Sequence, residues 1–220
     1  MLCALCYDTV LRVTHYVAIR APRLTILLSL PNYHIMTYCM MLGYTTIAFL
    51  ITTLNELEIN SIDIGNAYLN APAREKVYTT AGPEFGPDKV GRPVIIERAL
   101  YGLKTSGAAW HSQLTETLRS MDFALSLADP DVWSRPASKE NGFQYYENLL
   151  VYVDNILIIS HQPLPIPTCI QKFYRLKESA SEPKTYLGAF IKQWHIKGDG
   201  RKIWSMSSSH YINEALSALE

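Results

Sequence analysis

Charged side chains are missing from a long stretch near the start of the chain: between Leu24 and Asn55 there is no Asp, Glu, Lys or Arg. Net charge is missing too, since 20 Lys and Arg face 20 Asp and Glu in 220 residues. That balance excludes a polyanion-seeking tail as the main business of the molecule. With 48% hydrophobic and 18% charged residues, the composition of a disordered chain is excluded as well. Cysteine is scarce. Four residues, at positions 3, 6, 39 and 169, make no disulfide framework, and a reduced, intracellular setting in cytoplasm or nucleus is expected. Cys3-Ala-Leu-Cys6 has no second pair and is read as two incidental cysteines rather than a zinc site. The first twenty residues lack a basic segment followed by an apolar run, so no secretory signal is expected. There is no GxGxxG fingerprint, no internal repeat, and no Ser/His/Asp or Cys/His order suited to a nucleophile.

Within the charge-free stretch, Ile35 to Leu54 is twenty residues, about the length of a membrane-spanning helix. Pro31, Asn32 and His34 interrupt the first half of the charge-free stretch, and Thr and Tyr crowd its second half. Ile47, Phe49, Leu50, Ile51, Leu54 and Leu57 are therefore expected on a buried helix, with a membrane span kept as the lesser alternative. The zero net charge also hides an uneven distribution. Residues 172–202 hold eight bases against three acids, a net of +5. Such a segment is either a solvated face or a dock for a phosphate backbone.

The remainder alternates strands and helices without a regular βαβ rhythm, and an α+β domain with a mostly antiparallel sheet is expected. Leu57–Ile64 alternates apolar and polar residues and predicts a strand ending near Asp63. A turn over 65–70 and a break at Ala71-Pro72 follow, then a Gly/Pro loop over 81–93 and a short strand at Val94–Ile96. Ser106–Met121 predicts an amphipathic helix with Trp110, Leu114, Thr117, Leu118 and Met121 on one side. Asp129 and Asp131 are read as a turn that starts a strand, and His111 as a residue of the helix surface. Leu149–Ile159 predicts a β-hairpin with Asp154-Asn155 at its tip, since both residues tolerate positive φ. Three prolines, 163, 165 and 167, then end the sheet before a basic helix near 169–176. Strands over 186–194 and 202–206, joined through Gly198 and Gly200, and a helix over 210–219 complete the chain.

An apolar hairpin gains nothing from an ionised Asp unless that Asp meets solvent or metal. Asp63 and Asp154 both end apolar strands, 91 residues apart. Side by side in one sheet they would form a hard-oxygen site suited to Mg2+, and a pair of such ions can serve phosphoryl transfer. Without further context, a surface turn that happens to hold Asp-Asn remains the other reading.

Six strings supply that context: Asp63-Ile-Gly-Asn-Ala-Tyr-Leu-Asn70, Val77-Tyr78, Leu100-Tyr-Gly-Leu-Lys104 with Ala109-Trp110, Ala128-Asp-Pro-Asp131, Leu150-Val-Tyr-Val-Asp154-Asn-Ile-Leu-Ile158, and Tyr186-Leu-Gly188. In this order and spacing, from about Met41 to the C-terminus, the chain resembles the reverse transcriptase of Ty1/copia-type retrotransposons. The resemblance implies the palm of a right-hand polymerase over 41–220, with partial fingers and the start of a thumb, and residues 1–40 as a poorly matching leader or finger remnant. It implies two Mg2+ ions, a primed RNA or DNA template, and deoxynucleoside triphosphates. Asp63 and Asp154 then correspond to the metal-binding aspartates, with the Ile64 carbonyl and Asn155 as further ligand atoms. Tyr68 corresponds to the aromatic gate that excludes a 2′-hydroxyl. Tyr101, Gly102 and Lys104 match the segment lying against template base and nucleotide, and Tyr152 and Val153 lead the hairpin into the site. Tyr186, Leu187 and Gly188 match the region that guides the primer end, within the +5 segment.

Two departures from the pattern bear on activity. Asn155 stands where the family's Tyr-X-Asp-Asp has its second Asp, which removes a negative charge from a site that holds dications. Residues 1–40 carry only Arg12, Arg20 and Arg23 as bases, with no match to the family's basic triphosphate-gripping strand. The rest of the thumb, RNase H and integrase, which accompany this enzyme in its polyprotein, are not found in the sequence. A fragment with weak or no polymerisation alone is expected, with a non-catalytic nucleic-acid-binding relic as the alternative.

Overall fold

The computed structural model describes residues 32–196, 198, 200–209, 213, 216 and 217. The leader bases Arg12, Arg20 and Arg23, the pair Cys3 and Cys6, and most of the helix expected over 210–219 lie outside the described residues. Two compact units are present, one spanning Asn55–Tyr186 and the other formed by the chain up to Leu54 together with Leu187 onward.

In the second unit, helix α1 (Asn32–Leu54) packs with strand β10 of the antiparallel hairpin β9 (Ala189–His195) and β10 (Lys202–Ser207). The rings of Phe49 and Trp204 meet at 6.2 Å between centroids. The helix exists as expected, but its buried face is different. Thr45, Ala48, Phe49 and Thr52 are buried, at the helical spacing i, i+3, i+4, i+7, whereas Ile47, Leu50, Ile51 and Leu54 are exposed. Threonine is tolerated inside because its hydroxyl can be satisfied within the helix, as Thr52 donates to the Ala48 carbonyl at 2.8 Å. Among the described residues no helix is long and apolar enough to cross a membrane, and the single-span alternative falls with that.

The first unit is built on a five-stranded antiparallel sheet in the order β1-β7-β6-β5-β4, comprising β1 (Glu58–Asp63), β4 (Ala124–Leu125), β5 (Val132–Ser138), β6 (Gln144–Tyr152) and β7 (Asn155–Ser160). Strand β7 lies in the interior of this sheet and reads Ile-Leu-Ile-Ile after Asn155, all buried, as expected for a strand covered on both faces. Helix α2 (Ser106–Ser120) turns Ala109, Trp110, Leu114, Thr117 and Leu118 into the core, where they join Ile62, Ile64, Leu149, Val151, Ile156 and Ile158. A separate hairpin pairs β2 (Pro72–Thr80) with β3 (Pro93–Arg98). The break expected at Ala71-Pro72 is instead the start of β2, a strand whose alternation is too polar to announce itself and whose proline takes the first position, where no ladder donor is lost.

The basic helix expected near 169–176 is also placed differently. Helix α3 (Pro165–Ile170) begins on the prolines, which the first helical turn accepts because its N–H groups have no intrahelical partner. The strand expected over 186–194 is divided, with β8 (Thr185–Tyr186) separated from β9 by Leu187 and Gly188, both at positive φ.

Candidate active site

Strand β1 delivers Asp63 and the β6–β7 hairpin delivers Asp154. In register, Asp63 lies opposite Asn155, and Asn155 lies opposite Tyr152. The turn is therefore Val153-Asp154, one residue earlier than the Asp-Asn tip read from propensity. Its positive φ falls on Val153, at 55°, a β-branched residue that avoids this region. Such a conformation costs about 1–3 kcal/mol and persists only where the surroundings impose it. Here two long-range hydrogen bonds do so. The Trp110 indole N–H donates to the Val153 carbonyl at 2.7 Å, and the Ile64 amide donates to the Asp154 carbonyl at 2.8 Å.

The two carboxylates converge on one cation. The Lys177 ammonium stands 2.7 Å from Asp63 Oδ1 and 3.1 Å from Asp154 Oδ2. Its position is set by the main chain. Lys177 N donates to the Asp63 carbonyl and Gly65 N to the Arg175 carbonyl, each at 2.8 Å. A Cβ at position 65 would lie 3.2 Å from that Arg175 carbonyl, so glycine permits the approach. The hydrogen bond to Asp63, ahead of the partial burial that opposes it, holds the Lys177 ammonium above the usual lysine range, with Asp154 adding to the effect. Sequence reasoning missed Lys177 because it sat within a basic run read as facing phosphate.

Two acidic oxygens drawn to one shared positive charge are the donor chemistry a hard divalent ion requires. Asp63 and Asp154 supply it, while Ile64, buried as a side chain, has only its carbonyl to offer. Asn155 adds an amide oxygen rather than a charge. Among the described residues no group of three or more His, Cys, Asp and Glu is placed to hold a metal ion. A cleft of about 280 Å3 opens beside Asp63 and Asn155, lined also by Ser61, Glu178, Ser181 and Lys184.

Tyr68 sits on a 3-10 turn (Ala67–Asn70) three residues beyond the end of β1. Asn70 closes this turn by donating from its side-chain amide to the carbonyls of Gly65, Asn66 and Ala67 at 3.1–3.2 Å. The Tyr68 ring lies against Tyr101, with centroids 4.4 Å apart and planes inclined by 33°. Burial raises the Tyr68 phenol above its ordinary value, with Tyr101, Asp154 and Tyr152 adding to the shift. Tyr101 is exposed and Gly102 takes φ 97°, a value open to glycine, in the loop that leads to α2. Tyr152 and Lys104 are also exposed.

The Tyr186 side chain is buried. It is 1% exposed, donates to the Leu150 carbonyl at 3.2 Å, and burial drives its phenol far above the ordinary value. Leu187 and Gly188 belong to the other unit. Asp129 and Asp131 form the expected turn before β5, Asp129 Oδ1 accepting from the Asp131 amide at 2.8 Å. His111 lies on the helix surface, 3.7 Å from Asp131.

Comparison with known proteins places the chain in a family. Residues 33–218 match the profile described as reverse transcriptase (RNA-dependent DNA polymerase). The chain is 26% identical over 167 residues to the retrovirus-related Pol polyprotein from transposon TNT 1-94 of Nicotiana tabacum, covering 73% of this chain and 12% of that polyprotein. It is 31% identical over 106 residues to the corresponding polyprotein from transposon RE1 of Arabidopsis thaliana, covering 48% of this chain and 7% of the relative. A putative transposon Ty5-1 protein of Saccharomyces cerevisiae is 27% identical over 166 residues, 72% of this chain and 49% of the relative. The chain thus spans a small part of the polyproteins it matches. With more than half of its length matching the profile, the chain belongs to the reverse transcriptase (RNA-dependent DNA polymerase) family, among relatives of the Ty1/copia type.

Proposed function

We propose that this chain performs RNA-directed DNA polymerisation, the Mg2+-dependent transfer of a deoxynucleotide to a primer 3′-hydroxyl, as the reverse transcriptase part of a retrotransposon Pol polyprotein. The observation that carries this reading is the convergence of Asp63 and Asp154 on one positive charge. In this reading the Asn55–Tyr186 unit corresponds to the palm, the chain before it to finger elements, and the chain after it to the start of the thumb. Asp63 and Asp154 would hold the ions, with Ile64 O and Asn155 Oδ1 as further ligand atoms. Bound there, Mg2+ would supply charge neutralisation at the reacting phosphate and activation of the primer hydroxyl.

The chain's own residues do the positioning. Tyr68, held by the Asn70-closed turn and backed by Tyr101, presents a rigid aromatic edge where a 2′-hydroxyl would overlap it. Tyr101, Gly102 and Lys104 lie along the exposed loop available to nucleotide and template, and Tyr152 and Val153 fix the approach to Asp154. Leu187, Gly188 and the basic segment beyond Tyr186 would follow the primer strand, whose phosphates favour Lys and Arg. Template, primer and deoxynucleoside triphosphates are the partners, with integrase and RNase H as other polyprotein parts, in cytoplasm or nucleus.

A specific observation favours a second reading, a nucleic-acid-binding relic without catalysis: Asn155 leaves the site one carboxylate short, and no three-ligand group is assembled among the described residues. Mg2+-dependent extension of a primed RNA template by the chain separates the two, with Asp154→Ala as control. Extension abolished by Asp154→Ala supports the polymerase. Salt-sensitive binding without extension supports the relic, and extension that survives Asp154→Ala removes the site assignment.

A further inference from the structure

Both carbonyls of the Val153-Asp154 turn are engaged, and from different directions. The Asp154 carbonyl is taken by the Ile64 amide at the end of β1, and the Val153 carbonyl by the indole of Trp110 from α2. Strand pairing alone does not explain the second bond, because a two-residue turn leaves the carbonyl of its first residue free for solvent. Val153 is the residue at φ 55°. Its peptide orientation is the one a β-branched side chain resists, and the indole N–H is placed where that orientation puts the carbonyl.

Trp110 is in turn immobilised. It is 2% exposed and meets Tyr174 edge-on, at 5.1 Å and 72°. The Tyr174 hydroxyl is paired with Thr117 Oγ1 at 2.6 Å, about two turns further along the same helix. A buried Trp needs some acceptor for its N–H, and any core carbonyl would serve that need. The acceptor present is the strained carbonyl directly preceding Asp154.

We propose that Trp110 is a positioning residue whose indole N–H clamps the Val153 peptide in its strained orientation and so fixes where Asp154 presents its carboxylate. The last step rests on the polymerase reading; the clamp itself does not. Loss of the N–H lets the turn relax toward negative φ at Val153, and the Asp154 carboxylate moves away from Asp63.

Trp110→Phe keeps an aromatic ring facing Tyr174 and removes the donor together with part of the indole's bulk, and the amides away from the turn report any general loosening that the lost bulk causes. Amide hydrogen exchange in the metal-free chain is the primary readout. Exchange at the Ile64 amide should quicken by roughly three- to tenfold, the range for one net hydrogen bond, while amides of the β5–β6 pairing away from the turn stay unchanged. In a Val153→Gly background, where positive φ carries no Cβ penalty, the same substitution should change Ile64 exchange less than about twofold. An unchanged Ile64 rate, a rise spread over the whole sheet, or an equal rise in the Val153→Gly background overturns the clamp. Should Trp110→Phe not fold, the indole proton of Trp110 is followed in the unsubstituted chain. It should exchange together with the Ile64 amide, and independent exchange about tenfold faster overturns the clamp. Binding of Mn2+ alone is the second readout, expected to weaken roughly three- to tenfold in Trp110→Phe. Equal Mn2+ affinity in both proteins overturns the effect on Asp154. No Mn2+ binding by the unsubstituted chain, with the exchange result as expected, upholds the clamp and counts against the polymerase reading instead.

Discussion

Lys177 meets Asp63 twice, through its backbone amide to the Asp63 carbonyl at 2.8 Å and through its ammonium to Asp63 Oδ1 at 2.7 Å. The main-chain bond fixes where the side chain starts, and Asp154 at 3.1 Å completes the arrangement. Positive charge is thereby supplied between two strand-end carboxylates that would otherwise repel each other.

Replacing Lys177 by Met should lower stability at neutral pH, and the deficit should shrink in alkali. The sign follows from the direction of the shift. A lysine raised in the folded state contributes fully below its ordinary value of 10.5 and loses that contribution as pH rises through the folded value above it. Thermal melts of both proteins from pH 7 into the alkaline range check this, and a gap that stays constant above the lysine range would contradict it.

Asn155→Asp places a carboxylate directly opposite Asp63 in the register. Like charges across a strand pair destabilise by up to about 1 kcal/mol. The variant should therefore melt below the parent in chelator and gain more than the parent from added Mg2+. Primer extension should rise as well, and no rise would show that this substitution does not limit activity.

Tyr68→Ala should admit ribonucleotides. Removing a whole ring opens far more space than the single methylene worth about 10–200-fold in discrimination, so deoxy-over-ribo preference should fall by about tenfold or more. Competing extension with the two nucleotide types measures it, and an unchanged ratio would remove Tyr68 from the gate.

Glu147 is buried and receives Arg135 Nε at 2.5 Å and Ser160 Oγ at 2.6 Å. Arg135 also donates to the Met121 carbonyl at 2.8 Å. Glu147→Ala leaves the guanidinium without its charge partner and should cost about 2–4 kcal/mol, read by chemical denaturation, whereas Glu147→Gln should cost less because an acceptor remains.

Period and strand ends were legible in the sequence. The apolar stripe of α2 appears in the fold residue for residue, and Asp63 and Asp154 were identifiable as carboxylates closing apolar runs. What escaped reading was set by partners far along the chain. Local propensity favours Asp-Asn in a tight turn, but bonds from Trp110 and Ile64 put the positive φ on Val153 instead. Lys177 carries no local mark that separates it from the seven other bases around it. In α1, Ile and Leu outrank Thr on any hydrophobic scale, yet Thr45 and Thr52 are inside because the helix face that packs is chosen by its neighbours.

Strand β1 is the outermost of its sheet, yet its far side is not open to other chains. Ser61 exchanges amide and carbonyl bonds with Ser181, at 2.8 and 3.3 Å, and Asp63 and Gly65 are taken by Lys177 and Arg175. The segment between α3 and β8 thus works as a selvage on the sheet. A shortened version ending before Arg175 would keep both aspartates but bare a row of unpaired backbone groups, and it should aggregate through strand-to-strand addition rather than fold as a smaller soluble palm.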